Sequence, residues 1–462
     1  MAFLNLQEKA GKLTFEIKDV DLSIVNCIRR VVLSDIPNVA IRFDPYNETD
    51  HDVHISVNTG PLHNEIISHR MSLIPICLSA NEIRTFQKTH YKFMISKKNT
   101  TSDMLNVTTD DIDVVDFDDK PLSAERKRSI FPRDPLTGDA ILIAKLKPNI
   151  FDKEHGDELQ LVAYATVGCA SQNAAWSPVS LCSFFNIIDD DAADAAFKEK
   201  VASLKATREV SEVEKKELRT RFDTLERFKY FKKNRFGEAH HFAFSIESEC
   251  ALTPKYLVFK GIYILCDMLQ DLMRNIQNKD VVDISPIGEV PHMYQILLRG
   301  QTHTIGNLLQ AQFYNKYVRR DGGKELEYVG YICPHPLEKT ILIKLKFAPT
   351  VREENVEQWV FDSIQTIRDD MYRLGMQWMT FASVGDEYDD VVDFYKMKAD
   401  VADVEVAALE AADAKVPKAE SKVPEAESKV PEAESKVPEA EAEANAPTLK
   451  PKATRAKKTS KK

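Results

Sequence analysis

The chain has 462 residues, of which 43% are hydrophobic and 29% charged, with 62 basic and 72 acidic side chains and a formal net charge of −10. That apolar fraction supports sizeable cores, which excludes a wholly disordered chain, and the length corresponds to roughly two to four domains. No apolar run reaches the roughly 18 residues of a bilayer-spanning helix, Glu8 and the lack of an early apolar segment point away from a secretory leader, and seven cysteines without a C-x-x-C pair point to a reducing compartment rather than a disulfide scaffold.

In chain order, residues 13–20 (LTFEIKDV) set Leu13, Phe15 and Ile17 against Thr14, Glu16 and Lys18, the period of two of a half-buried strand. A helix follows, capped by Asp21 or Ser23, with Ile24, Cys27, Ile28, Val31 and Val32 on one side. Pro37 ends it, because proline lacks an amide donor and clashes with a continuing turn; residues 39–43 are the next strand. Residues 53–57 predict a short strand, 64–69 a short helix, and 73–76 a buried connection stopped at Pro75. Weaker strand patterns fall at 91–96 and 114–117, while 97–113 and 118–138 are polar and loop-like. Strong strand patterns return at 141–146 and 159–166, followed by a turn-rich stretch (168–178) and an apolar segment (181–188).

The composition then changes. Residues 189–235 are dominated by Asp, Glu, Lys, Arg and Ala, which predicts a solvent-exposed helical hairpin or single helices, inserted rather than part of a core. Residues 241–247 are a strand with Phe242, Phe244 and Ile246 on one face. Thr253-Pro254 opens a long helix reaching about Asn278, since Thr caps well and Pro costs no hydrogen bond at the first helical position. Leu257, Gly261, Leu265, Met268, Leu272 and Ile276 follow at helical spacing, widened by Val258, Ile262 and Leu269. A polar linker, 279–291, precedes a second series: a strand at 293–298, a helix capped by Thr304, a turn at Asp321-Gly322-Gly323, strands at 326–333 and 340–347, and a long helix at 353–378. That helix carries Val356, Val360, Ile364, Ile367, Met371, Leu374 and Trp378 on one stripe. The same order of strand, helix, strands and long one-sided helix thus occurs twice, at 13–278 and 293–378. The first copy is interrupted by residues 44–240. Neither unit can hide its stripe alone, so the two are expected to pack on each other.

The segment DVDLSIVNCIRRVVLSDIPNVA (19–40) resembles the first helix of the large assembly subunit of multisubunit RNA polymerases, with Asn26, Arg29 and Arg30 in its Asn-x-x-Arg-Arg core. That family comprises the eukaryotic third subunit, archaeal D and the bacterial alpha N-terminal domain. EIISHRMSLIP (65–75), centred on His69 and Arg70, is similar to the family's acidic-x-x-x-His-Arg-x-x-Leu-Ile-Pro stretch. Ala175-Trp176-Ser177-Pro178 is similar to its Lys-Trp-x-Pro loop. QTHTIGNLL (301–309), with His303, Gly306 and Asn307, resembles the His-Thr-Leu-Gly-Asn-Leu motif of the small partner, the eukaryotic eleventh subunit or archaeal L. Tyr331 to Pro336, with His335, resembles its Tyr-x-x-x-His-Pro. The resemblance covers about 1–80, 139–188 and 241–380, and is that of large and small subunits fused in one chain, as in large eukaryotic DNA viruses.

The resemblance implies an α+β fold. Two alpha-N-terminal-domain-like dimerisation units pair within one chain: 1–43 with 241–278, and 292–380. A mostly β domain (44–240) is inserted in the first. An acidic segment (381–414), proline-containing heptads (415–442) and a basic end (443–462) would follow as a tail, disordered beyond about residue 395, because a proline in each heptad defeats a coiled coil. The implied role is a non-catalytic assembly platform of a DNA-directed RNA polymerase. Its partners would be the two large catalytic subunits and small zinc-binding assembly subunits, with DNA reached only through the complex, no membrane, no homodimer required, and the catalytic magnesium in the largest subunit. The place of action would be the virion and the infected host's cytoplasm or nucleus for a viral chain, and otherwise the nucleus.

No residues are assigned to catalysis, a cofactor or a metal. No nucleotide-loop, metalloprotease or serine-hydrolase motif is present, and residues 80–140, where many relatives carry a cysteine-rich metal loop, contain no cysteine. The interface set implied by the resemblance is Asn26, Arg29, Arg30, His69, Arg70, Trp176, His303, Gly306, Asn307 and His335. Several have a plainer alternative. Arg29 and Arg30 are either solvated charges or a guanidinium pair turned toward catalytic subunits. Asn26 and Asn307 either bond to backbone at each helix start and help position it for the interface, or serve a purely structural role there. His69 and His303 serve an interface or packing. Trp176 is either a satellite core or a partner contact. Gly306 would allow close approach of the opposing helix. The competing class is a stand-alone nucleic-acid or chromatin-associated scaffold acting through the basic residues 450–462, although the body shows no RNP aromatic motif, zinc finger or basic stripe.

Overall fold

The computed structural model describes residues 2–397 except 10, 45–51, 150, 152–155, 208–210, 250, 289, 320–324, 350–354 and 386. The heptads, the basic end, most of the acidic segment, the turn at 321–323 and Cys250 lie outside the described residues.

Strands β1 (Phe3–Lys9) and β2 (Lys12–Lys18) form a hairpin that leads into helix α1 (Leu22–Ser34). The Asp21 carboxylate caps this helix by accepting from the Ser23 amide at 2.8 Å. A short strand β3 (Asn38–Ala40) opens the inserted region. There β4 (Val53–Asn58), α2 (Asn64–Ser72), α3 (Ala80–Thr85), β5 (Tyr91–Lys98), β6 (Leu105–Thr108), β7 (Asp113–Asp116), α4 (Ala124–Ile130), β8 (Leu142–Leu146), β9 (Glu158–Tyr164) and β10 (Thr166–Gly168) build an antiparallel sheet of order β4-β9-β5-β7 and the pairs β6-β8 and β10-β3. The chain returns through β11 (Val179–Asn186), a helical hairpin α5 (Asp190–Thr207) and α6 (Glu212–Leu225), and β12 (His241–Ser248) to the long helix α7 (Pro254–Arg274). The first sheet has the order β1-β2-β12-β11.

The second unit repeats the plan. Strand β13 (Val282–Pro286), strand β14 (Met293–Arg299), helix α8 (His303–Phe313), strands β15 (Leu326–Ile332) and β16 (Thr340–Phe347) and helix α9 (Val356–Ala382) form a sheet of order β13-β14-β16-β15 with its own long helix. A last helix, α10 (Asp389–Lys396), follows. All described residues fall within one compact body, 1–405.

Several sequence expectations are corrected. Strand β11 pairs with β12 along its length, so residues 179–186 belong to the first sheet rather than to an insert ending at 240. Val282–Pro286 pairs with β14, so the stretch expected to be a linker contains an edge strand. Helix α8 is capped by the Thr302 side chain rather than by Thr304, which lies in its first turn. The polar stretches expected as loops hold β6 and α4. The latter is capped by Ser123 and anchored by the buried Ile130 alone, too little apolar signal for a periodic pattern. Residues 189–235 do form a helical hairpin. Its small core of Ala193, Phe197, Val201 and Phe222 is separate from the main one.

The main core is continuous through both units. Trp378 of α9, fully buried, sets its ring edge against Phe3 (centroids 4.9 Å) and lies tilted on Phe15 (4.6 Å) of the first sheet. Its indole N–H donates to the Lys255 carbonyl of α7 at 2.9 Å. One side chain of the second unit thus closes the floor of the first. Replacing Trp378 by alanine is expected to cost about 3–5 kcal/mol, measured as a lowered midpoint in denaturant monitored by circular dichroism.

Candidate assembly interface

The junction between the units consists of α1 and α7 from the first and α8 and α9 from the second. Helices α7 and α9 pack along each other, and α1 lies across both α7 and α8. Helix α7 is apolar on most of its circumference because the sheet, α1 and α9 surround it: Leu257, Val258, Phe259, Ile262, Leu265, Cys266 and Leu269 are each fully buried. Gly261 makes the approach of α1 possible, since a Cβ there would stand 2.8 Å from Val32 Cγ2 and 3.8 Å from the Ile28 carbonyl.

Helices α1 and α8 run in opposite directions past each other, as their hydrogen bonds show. At one end the Asn315 amide donates to Asp21 Oδ2 (2.9 Å) and Gln312 Nε2 to Ser23 Oγ (3.3 Å). At the other, Arg30 Nε donates to Thr304 Oγ1 (2.9 Å) and the Cys27 thiol to the Thr304 carbonyl (3.2 Å). Burial pushes the Cys27 thiol up to about 12, against the pull of Arg30, so it stays protonated and able to donate at neutral pH. Buried polar groups cost stability unless satisfied, so these pairs fix the register of two otherwise apolar helices.

The sequence-derived residues divide into three places. Asn26 and Asn307 meet across a cleft of about 480 Å³ at the α1–α8 crossing, with Asp21, Phe184, Gln310 and Asn315 on its walls. Asn26 Oδ1 accepts from Arg29 Nη2 at 2.9 Å, which holds Arg29 along its own helix, while Arg30 is engaged by Thr304 within the chain. At the outer end of α8, His303 packs edge-on to Tyr331 (centroids 5.9 Å) beside Cys333 and Pro336. His335 is exposed, and its Nδ1 accepts from the Leu337 amide at 3.3 Å. In the inserted region His69 is exposed near Phe43, and Arg70 Nη2 donates to the Leu142 carbonyl at 2.6 Å, tying α2 to β8.

Two expectations change. Gly306 does not face α1: a Cβ there would stand 2.9 Å from Tyr331 Cδ2 and from Ile341 Cγ2, so it seats α8 on its own sheet. The glycine that lets α1 approach another helix is Gly261. Trp176 is only 4% exposed, lies over Gly168, and donates to the Thr166 carbonyl at 2.9 Å, which makes it a satellite core rather than an outward contact. Sequence reasoning missed Thr304, Ser23, Gln312 and Asn315 as pairing residues. Their one signal was the polar interruption of otherwise apolar helix faces. Among the described residues, no group of three or more His, Cys, Asp or Glu side chains is placed to hold a metal ion, and no helix is long and apolar enough to cross a membrane.

A family model described as the RNA polymerase Rpb3/Rpb11 dimerisation domain matches residues 14–269, and a second of the same description matches 294–375. The chain belongs to the Rpb3/Rpb11 dimerisation family. The two matches begin at β2 and β14 and end within α7 and α9, so each covers one unit. Among curated proteins, the chain is similar to subunit 3 of RNA polymerases II, IV and V of Arabidopsis thaliana, at 29% identity over 41% of this chain and 59% of the relative. It is similar to subunit RPAC1 of RNA polymerases I and III of Saccharomyces cerevisiae, at 25% identity over 55% of this chain and 82% of the relative. It is also similar to subunit Rpo3 of Methanobrevibacter smithii, at 24% identity over 43% and 67%. The chain spans 59% and 52% of the length of the two Arabidopsis relatives it matches.

Two outcomes follow from this dimerisation geometry. Gly261→Leu is expected to destabilise the chain by about 1–3 kcal/mol through overpacking; Val32→Ala, harmful alone, should recover part of that loss in a double-mutant cycle of denaturant midpoints. Burial also pushes the Cys182 and Cys266 thiols up to about 12. At pH 8 only about one in 10⁴ of such thiols is a reactive thiolate, against about a quarter for an ordinary cysteine. Mass spectrometry after brief alkylation should therefore find the partly exposed Cys333 labelled, Cys169, whose thiol burial also raises, labelled less, and Cys27, Cys182 and Cys266 labelled only after unfolding.

Proposed function

We propose that this chain is the assembly platform of a DNA-directed RNA polymerase, a non-catalytic subunit that holds the two large catalytic subunits. The observation that carries the reading is the presence of two Rpb3/Rpb11 dimerisation domains in one chain, already packed on each other through α1, α7, α8 and α9. One polypeptide would then supply what a large and a small assembly subunit supply as two. Fusion raises the effective concentration of each half for the other and fixes their ratio at one to one. The catalytic magnesium would lie in the largest subunit, and small zinc-binding subunits would complete the platform.

The reading draws support from where the exposed interface candidates lie. His303 and His335 stand beside the outward Ile332 (56% exposed) and Leu337 (88% exposed), a combination of apolar area and polar rim common to protein interfaces. His69 offers a second exposed point in the inserted region. A viral source, and with it action in the virion and the infected cell, is supported by the fused order of the two units alone; a cellular chain would act in the nucleus.

Affinity purification of the tagged chain from its native source should recover two larger polypeptides together with template-dependent RNA synthesis; recovery only as a free chain would overturn the proposal. Leu337→Asp should reduce recovery of a large partner about ten-fold or more with the thermal midpoint unchanged, since this side chain is almost fully exposed.

A further inference from the structure

Helix α10 lies where sequence composition pointed only to an acidic segment. Its sequence, DDVVDFYK, presents Val391 and Phe394 to the protein, both fully buried, followed by the buried Met397. The surface that receives them comes from three parts of the fold. The Phe394 ring packs on Phe259 (5.3 Å between centroids) and Tyr263 (6.0 Å) of α7 and is stacked on Tyr372 (4.7 Å) of α9. It fills the hollow left by Gly375, where a Cβ would stand 2.6 Å from Phe394 Cζ. Tyr388, just before the helix, is stacked on Tyr256 of α7 at 4.4 Å.

The polar contacts are as divided as the apolar ones. Asp390 is 7% exposed and meets Lys260 of α7 at 2.8 Å, while the Tyr256 hydroxyl donates to its other oxygen. Asp393 meets Arg84 of α3 at 2.6 Å. Asn81, also of α3, donates to the Glu387 carbonyl (3.0 Å) and accepts from the Asp389 amide (3.1 Å). At the far end the buried Arg368 of α9 donates to the Met397 carbonyl at 2.5 Å. Acids thus sit at the start of α10 and a guanidinium at its last carbonyls, the arrangement favoured by the helix dipole. Arg368 Nη1 is also paired with Asp369 at 2.9 Å, so the Met397 carbonyl takes up the remaining arm of a guanidinium whose buried donors would otherwise stay unsatisfied.

We propose that residues 387–397 are an intramolecular clasp. The acidic, amphipathic helix is held in a groove shared by the first unit, the second unit and the inserted region, locks the pairing of the units, and can be replaced by the same segment presented in trans. The inference rests on contacts within this chain and holds whether or not the chain serves a polymerase. Helix α10 is covalently part of the second unit, so its contacts with α7 and α3 become contacts between fragments once the chain is cut between the units.

The test inserts a protease site after Asn278, in an exposed stretch between α7 and β13, and measures the dissociation constant of the two fragments after cleavage. Phe394→Asp should weaken their association about ten-fold or more relative to the cut parent, and a synthetic peptide of residues 387–397 should restore it. Asp390→Asn, which keeps the shape and removes the charge, should have a smaller effect in the same direction, and is read by the same criteria should Phe394→Asp fail to fold. Unchanged association in the variant, or a loss that the peptide does not reverse, would overturn the proposal.

Discussion

The packing of α7 on α9 is the constraint from which the rest of the architecture follows. Each long helix is apolar over more of its surface than one sheet can cover, and each finds its remaining cover on the other. Once they are paired, α1 must cross α7 closely, which Gly261 permits, and α8 must follow α1 in the opposite direction. Trp378 carries the same logic into the first sheet: a residue near the end of the second unit completes the core begun by Phe3 and Phe15. Hydrophobic burial supplies most of the driving force, while the few polar pairs at the α1–α8 crossing select one register among the many that apolar surfaces alone would tolerate.

Much of this was legible in the sequence, for a physical reason. The stripes at 257–276 and 356–378 repeat at helical spacing over many turns, and the strands at 13–17, 242–246 and 340–347 alternate cleanly, so their environments were written into every second or third residue. What escaped was short or polar. Helix α4 has one buried anchor, β6 has few residues, and β13 looks polar because an edge strand buries little. The capping pair Ser79 and Glu82 marks the start of α3, a local signal that the apolar pattern around it is too brief to reinforce.

The candidate interface was legible in part. Asn26 and Asn307 line one cleft at the junction between the units, and Arg30 bonds Thr304 within the chain rather than being held outward. Gly306 was misplaced because a glycine reports a close approach without reporting to what; only the fold distinguishes a neighbouring helix from the strand beneath. Helix α10 was hidden by its own charge. Asp389, Asp390 and Asp393 read only as part of an acidic segment until Lys260 and Arg84 are seen opposite them.

The α5–α6 hairpin, with its own small core around Phe197 and Phe222, carries a different consequence. Because its apolar residues close on one another, its length is uncoupled from the fit of the platform that bears it. A family member could lengthen, shorten or discard such an outgrowth without opening a cavity beneath it, leaving this the part of the chain where variation costs the paired units least.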